Sequence, residues 1–423
     1  MKTTEALNVL AREMGRELTD GILPYWRERT VDREHGGFYG QIDGQDDVVA
    51  DARKGAVLNA RILWAFSAAS RVLDDDTYRP LADRAYAYLN EHFWDRQHGG
   101  IYWMLSADGE PVDPKKQVYA QAFAAYAMAE YHRLTGRDES LERAVRLFRL
   151  IEEHAFDAED GGYFEAYSRD WRLRADVRLS EKDANEKKTM NTHLHVLEAY
   201  TNLYREWPDS ALEAQLRAAV RLFLDTFLDA ETNHLIGFFD EQWTPRTGFV
   251  SYGHDIEASW LLVEAAKVLG DDALVEETQS AALRMARTTQ AEGQDADGGL
   301  FYEMGADGTL DDDKHCWPQA EAIVGFVNAY EISGEQAFLE AAAACWAFTQ
   351  EHVIDAEHGE WFFSVSRMGV PHRDENKVGP WKGPYHSTRA CLEVMRRAGE
   401  SGAHASSGPS SVAEASDFSI NVS

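Results

Sequence analysis

Three histidines stand out by their setting: His195 in MNTHLHVLEAY, His254 in SYGHDIEASWLL and His386 in WKGPYHSTRACL. Each lies near the start of a segment whose apolar residues recur at helical spacing. Comparable segments, KGAVLNARILW, KQVYAQAFAAY and KHCWPQAEAIV, bring Arg61, Tyr119, Trp317 and Glu321 to equivalent places. An imidazole titrates near neutrality, so it can take and return a proton. The partial positive charge of a helix N-terminus disfavours imidazolium, which keeps such a histidine neutral and basic. Histidines, an arginine, carboxylates and aromatics converging on one concavity suit general acid–base chemistry on a small polar molecule. His254 and Glu257 are i,i+3 neighbours, so Glu257 is expected to orient or recharge His254. Arg61 lies in an otherwise apolar stretch, where a lone charge needs a reason. Trp317 and Trp381, beside polar neighbours, suit stacking against sugar rings.

Other histidines read more plainly. His35, His98 and His358 belong to a repeated turn. The pair His193-x-His195 would suggest a metal, but i,i+2 positions on a helix point apart and no third ligand is evident, so no metal is expected. Glu257 and Glu321 could serve as the two carboxylates of a glycoside hydrolase. The histidines would then lack a purpose, and that reading ranks lower.

The elements that place these residues follow from a repeat. A signature of the form Asp-x-x-His-Gly-Gly-aromatic begins at Asp32, Asp95, Asp157, Asp229, Asp295 and Asp355, with the fourth copy degraded. The second glycine or its equivalent falls at Gly37, Gly100, Gly162, His234, Gly299 and Glu360, at intervals of 63, 62, 72, 65 and 61 residues. A fixed period of this size means one structural unit repeated. Each unit has room for a turn, a short hairpin and two helices. A linear stack of such units would need polar end caps. None is evident, since the first and last units carry the same signature as the rest. The expected fold is therefore all-α: an (α/α)6 barrel of six helix-pair repeats with short β-hairpins, one catalytic domain over residues 1–398. Equivalent helices around a ring present their N-termini at one end, so the chemistry-bearing residues should meet there. Residues 399–423, rich in Ser, Ala and Gly, are expected to be a disordered tail.

Composition narrows the function. The chain has 423 residues, 73 Asp and Glu against 42 Lys and Arg, and a net charge of −31. Such a surface disfavours nucleic acid and anionic membranes. A high-salt cytoplasm would favour it, as would plain solubility. No apolar run reaches membrane-spanning length, and the N-terminus lacks a signal-peptide core. Cys316, Cys345 and Cys391 show no paired spacing and read as reduced thiols. A cytoplasmic, monomeric protein is expected, with no cofactor and no macromolecular partner.

The segments MNTHLHVLEAYTNLYR, GHDIEASWLL, WPQAEA and WKGPYH, with KGAVLNARILW and VYAQAFA, closely resemble the N-acylglucosamine 2-epimerase family, in particular its members acting on cellobiose. The resemblance runs in order from about residue 5 to residue 397. It implies an (α/α)6 barrel. It also implies metal-free epimerisation at C2 of the reducing-end sugar of a β-1,4-linked disaccharide such as cellobiose, lactose or mannobiose. By position, His254 and His386 match the acid/base pair. His195 matches a third histidine linked to ring opening, and Arg61 matches the residue that steadies the enediolate oxygens. Tyr119, Asn191, Glu257, Trp317 and Trp381 match substrate-contacting positions. Asp183, in LSEKDANE, lies in a loop that lines the family's cleft, and Glu321 is placed with the substrate-binding residues. Relatives acting on mannose or N-acylated hexosamines, and an aldose–ketose isomerase sharing the enediolate, are the alternatives. A sugar-binding module without catalysis is a further one.

Overall fold

Two kinds of helix alternate along the chain, and burial tells them apart. In the computed structural model, which describes residues 3–246 and 248–406, the first element is α1 (Thr3–Arg16), continued through a π-helical segment into α2 (Leu23–Arg29). Then follow α3 (Ala56–Leu73), α4 (Arg79–Tyr88), α5 (Val118–Thr135), α6 (Asp138–His154), α7 (Met190–Glu206) and α8 (Ser210–Leu222). The remainder are α9 (Tyr252–Leu269), α10 (Asp272–Thr288), α11 (Cys316–Ser333), α12 (Gln336–Phe348) and α13 (Tyr385–Ser406). The odd-numbered helices from α3 onward are the inner ones. α3 is buried without a break from Ala56 to Ser70. A helix apolar on all sides has neighbours on all sides. The outer helices are amphipathic. α6 buries one stripe, Ala144, Val145, Leu147, Phe148, Leu150 and Ile151, and shows charge elsewhere.

The inner helices close on themselves. α3 packs on α5, α5 on α7, α7 on α9, α9 on α11, α11 on α13, and α13 back on α3. This is the expected (α/α)6 barrel. The hairpins staple each unit to the next. Residues just before one inner helix pair antiparallel with the hairpin of the following unit: Lys54 with Leu105, Lys116 with Tyr167, Lys188 with Phe239, Val250 with Met304 and Lys314 with Val365. A bridge between Ile42 and Val378 joins the first unit to the last.

The repeated turn has a definite task. Asp32 Oδ1 accepts from the N–H groups of Glu34 and His35, while Oδ2 accepts from Lys54 Nζ at 2.7 Å. The same buried pair recurs as Asp95–Lys116, Asp157–Lys188, Asp295–Lys314 and Asp355–Lys377. The signature thus anchors the strand that leads into the inner helix. In the fourth unit Asp229 still caps its turn, but Val250 stands where the lysine would be. Gly37 has φ +61°, and a Cβ there would fall 2.6 Å from the Tyr88 ring, which explains the second glycine of the signature. At the equivalent Glu360 the side chain is buried instead, on Lys382 Nζ and Trp26 Nε1, each at 2.5 Å.

The barrel axis is filled midway by Trp64, Tyr126 and Tyr385, with Trp64 stacked on Tyr126 at 5.4 Å. At the C-terminal ends of the inner helices, Arg71 and Arg133 share Glu130, Arg205 pairs with Glu264, and Arg397 pairs with Glu331 and Glu393. Cations suit that end of a helix, and their carboxylate partners leave it charge-balanced. α13 continues to Ser406, past the boundary expected at residue 398; the rest of the expected tail, residues 407–423, lies outside the described residues. No helix of the described residues is long and apolar enough to cross a membrane.

Candidate active site

The inner helices start in register, and the register builds the site. The second helical residue is Tyr119 in α5, Asn191 in α7, Trp317 in α11 and His386 in α13. Four positions later stand Phe123, His195, Glu257 and Glu321 in α5, α7, α9 and α11, and Arg61 holds that position in α3. Residues at i and i+4 lie on one helix face, here the face toward the axis. The fourth position is structural. Gln121 and Gln319 bond both backbone groups of Ile101 and Leu300, His193 Nε2 accepts from Tyr163 N–H at 2.8 Å, and Asp255 accepts from Leu235 N–H. His193 therefore holds a turn and faces away from the axis, as its spacing predicts.

At the N-terminal mouth of the ring lies a cavity of about 400 Å³. Arg61, Tyr119, Asp183, Asn191, His195, His254, Glu257, Trp317, Trp381 and His386 all line it, so ten of the eleven candidate residues named from the sequence come together here. Glu321 is the exception. It stands behind His386, with Oε1 2.7 Å from Nδ1, because its carboxylate is drawn inward by Arg389 and by Trp260 Nε1. Lining residues not foreseen are Leu179, Ser180, Lys182, Tyr302, His315 and Phe363. His315 stacks on Tyr302 at 3.8 Å and meets Phe363 edge-on. Its position two residues before Trp317 was the available signal.

Each histidine has a different partner behind it. His195 Nδ1 lies 3.0 Å from Glu198 Oε2. A carboxylate only accepts, so Nδ1 carries the proton and Nε2 is left as a base. The same holds for His386 on Glu321. His254 Nδ1 instead meets Ser251 Oγ at 2.7 Å. The expected pairing of His254 with Glu257 does not form, because Glu257 Oε1 turns to Arg389 Nη2 at 2.5 Å. Burial, with His195 beside it, pushes His254 down to about 3, and burial together with Arg61 and Arg389 pushes His386 well below its ordinary value. Burial also lowers His195, with Glu198 pulling the other way. All three are therefore neutral before substrate arrives.

Arg61 is held by geometry. It donates to Tyr119 Oη at 3.0 Å and to the Trp381 carbonyl at 3.1 Å, and its guanidinium lies over Phe123 at 4.5 Å. Trp317 adjoins both His254 and His386, at ring separations of 4.7 and 5.6 Å. Gly253 makes room for it, since a Cβ there would stand 2.5 Å from Trp317 Cη2. Trp381 lies apart, 5.9 Å from Tyr119 and 5.8 Å from Trp103. Glu257, Glu321 and His386 bring ligand-type atoms within 4.8 Å of one another. The Arg389 guanidinium is already bonded to both of these carboxylates, so a metal cation would face a fixed positive charge.

A closed helical ring with histidines and carboxylates gathered at one mouth places the protein among the (α/α)6 barrels. The family model for N-acylglucosamine 2-epimerase matches residues 37–390. The cellobiose 2-epimerase of Bacteroides fragilis is 52% identical over 388 residues, 92% of this chain and 99% of that one. That of Ruminococcus albus is 39% identical over 390 residues, with coverage of 92% and 99%. The structure of the cellobiose 2-epimerase from Bacillus thermoamylovorans superposes with a TM-score of 0.89 at 42% identity, covering 92% of this chain and all of that one. The chain belongs to the N-acylglucosamine 2-epimerase family and is an epimerase.

Proposed function

We propose that the protein interconverts glucose and mannose units at C2 of the reducing end of β-1,4-linked disaccharides, such as cellobiose. The observation that carries the reading is the pair of neutral imidazoles, His254 and His386, set against one indole, Trp317. The C2 proton of an aldose becomes acidic once the ring opens to the aldehyde. His195 Nε2 faces the cavity to help that opening. One of His254 and His386 then takes the C2 proton, and the electron pair moves into an enediolate. The other takes up a proton from solvent once substrate is bound and, as imidazolium, delivers it to the opposite face, while the first passes the C2 proton to solvent. Proton count and oxidation state are unchanged overall. Arg61 stabilises charge developing on O1 and O2. The cavity continues past Trp317 to Tyr302, His315 and Phe363, an aromatic wall suited to a second sugar ring.

The test is incubation with cellobiose in D2O without added metal. Deuterium should enter at C2 of the reducing sugar, and the mannose-ended epimer should appear. Release of free glucose without exchange would sink the reading in favour of a hydrolase. Against that outcome stands Glu321, which lies behind His386 and off the cavity wall, its carboxylate tied with that of Glu257 to one guanidinium; a glycosidase needs both carboxyl groups flanking the scissile bond. Substrate size is read from kcat/KM for cellobiose against mannose. Trp381→Ala should lower the cellobiose value by roughly 3–10-fold, the worth of one stacking contact, and leave mannose less affected. Equal loss on both would place Trp381 at the reducing sugar instead.

A further inference from the structure

Arg389 touches neither cavity wall residue His195 nor His386, yet it is tied to both. Its Nη1 donates to Glu198 Oε1, and Glu198 holds His195 through its other oxygen. Its Nη2 donates to Glu321 Oε1 at 2.7 Å, the same oxygen that holds His386, and to Glu257 Oε1 at 2.5 Å. One planar fork therefore serves three carboxylates from α7, α9 and α11, all at most 2% exposed. Tyr385 Oη completes the cluster on Glu198, and Tyr385 and Trp260 cover the guanidinium at 4.4 and 4.7 Å.

We propose that Arg389 is the positioning residue that sets the protonation pattern of the acid–base site, by holding the carboxylates behind His195 and His386 ionised and oriented. The proposal rests on the reading of those histidines given above. Three carboxylates around one cation cannot all ionise freely. Burial raises Glu198, but Arg389 and His195 override it and hold it at about 2. Burial and the neighbouring Glu321 push Glu257 up to about 8, against Arg389. Glu321 is raised by burial and drawn back by Arg389. The other charged groups facing the cluster are Arg61 from α3 and His254 from α9. Tyr126 from α5 is pushed far up by burial and stays neutral. Toward the far end of the barrel, Glu264 and Glu393 already have arginine partners. Among the described residues, Arg389 is thus the single guanidinium hydrogen-bonded to all three carboxylates. Lysine cannot replace it, because an ammonium is a point charge without the fork.

The experiment compares Arg389→Met and Arg389→Lys with the parent in two ways. The first is the pH profile of kcat and KM on cellobiose. The second is the ¹⁵N spectrum of His195 and His386 in the substrate-free protein. Without the cation the carboxylates take protons at higher pH. The acidic limb should then move up by at least about one unit in Arg389→Met. Its kcat should fall by about 100-fold or more, the range of an acid–base group, with KM within about threefold. Both histidines should leave the Nδ1–H tautomer. Arg389→Lys should show the same changes at about half the size, and it stands in if Arg389→Met does not fold. An unmoved acidic limb and unmoved ¹⁵N shifts in the folded variants would overturn the proposal. If the parent itself shows no C2 exchange, the functional reading fails while the ¹⁵N comparison still decides the role of Arg389.

Discussion

His254 and His386 are the same residue type at the same mouth, yet their partners differ in kind. Glu321 can only accept from His386, so that ring is fixed in one tautomer. Ser251 can donate to His254 or accept from it, so that ring can present either a lone pair or a proton without a charged neighbour. Ser251→Ala should therefore lower kcat by roughly 5–10-fold, the worth of one hydrogen bond of about 1 kcal/mol, and leave KM nearly unchanged; an unaltered kcat would show that Ser251 does not steer the ring. Gly253→Ala tests the opposite quantity. Its Cβ would enter the Trp317 ring, so KM should rise and substrate protection against Trp fluorescence quenching should weaken. The sequence made the histidines, Arg61 and the tryptophans legible, because each is out of place in an apolar helix. Arg389 and Glu198 were out of place in the same way, in STRACLEV and HVLEAY. What sequence spacing could not show is which partners come from other units, and so Glu321 and Arg389 had no visible roles behind the cavity; Ser251 lies only three residues before His254, but nothing in its residue type marks it as that ring's partner.

At the scale of the element, the repeat was readable from its turns and its anchor was not. The Asp and the glycines recur within eight residues, whereas the lysine follows its Asp at intervals from 19 residues, Asp295 to Lys314, to 31, Asp157 to Lys188. Lys54→Met leaves Asp32 buried without its cation and should cost about 3–5 kcal/mol by chemical denaturation; the double change with Asp32→Asn should recover part of it. Glu165 positions α7 in another way, accepting from Thr189 N–H at 2.9 Å and from Thr192 Oγ1. Burial pushes it up to about 8 despite those bonds. A raised carboxyl contributes stability that is complete below its unfolded value and is lost as pH rises through the folded one. Glu165→Gln should then flatten the decline of stability between pH 5 and 9, by on the order of a few kcal/mol; a parallel decline in both proteins would refute the assignment.

For the whole molecule, an excess of acidic over basic residues that gives a net charge of −31 makes for an acidic surface. Screening should help such a surface, since the Debye length falls from about 30 Å at 0.01 M salt to about 10 Å at 0.1 M. The melting temperature should rise with NaCl over that range; a fall would mean that paired charges outweigh the repulsion.

The ring closure has a consequence for chain order. Outer helices run back from the end where inner ones stop, so Thr3 at the head of α1 and Ser406 at the foot of α13 lie at the same end of the barrel, on helices that pack together. The connections at that end are short, as at Gly136–Arg137, Gly270–Asp271 and Gly334–Glu335. No unit is first in any physical sense. A circular permutant, with the old ends joined by a flexible linker and new ends cut at Gly136–Arg137, keeps every hairpin staple, every Asp–Lys anchor and all six inner helices. The enzyme is in this respect a bracelet whose clasp can be moved, and any residue contributed from a neighbouring unit reaches the cavity wherever the chain begins.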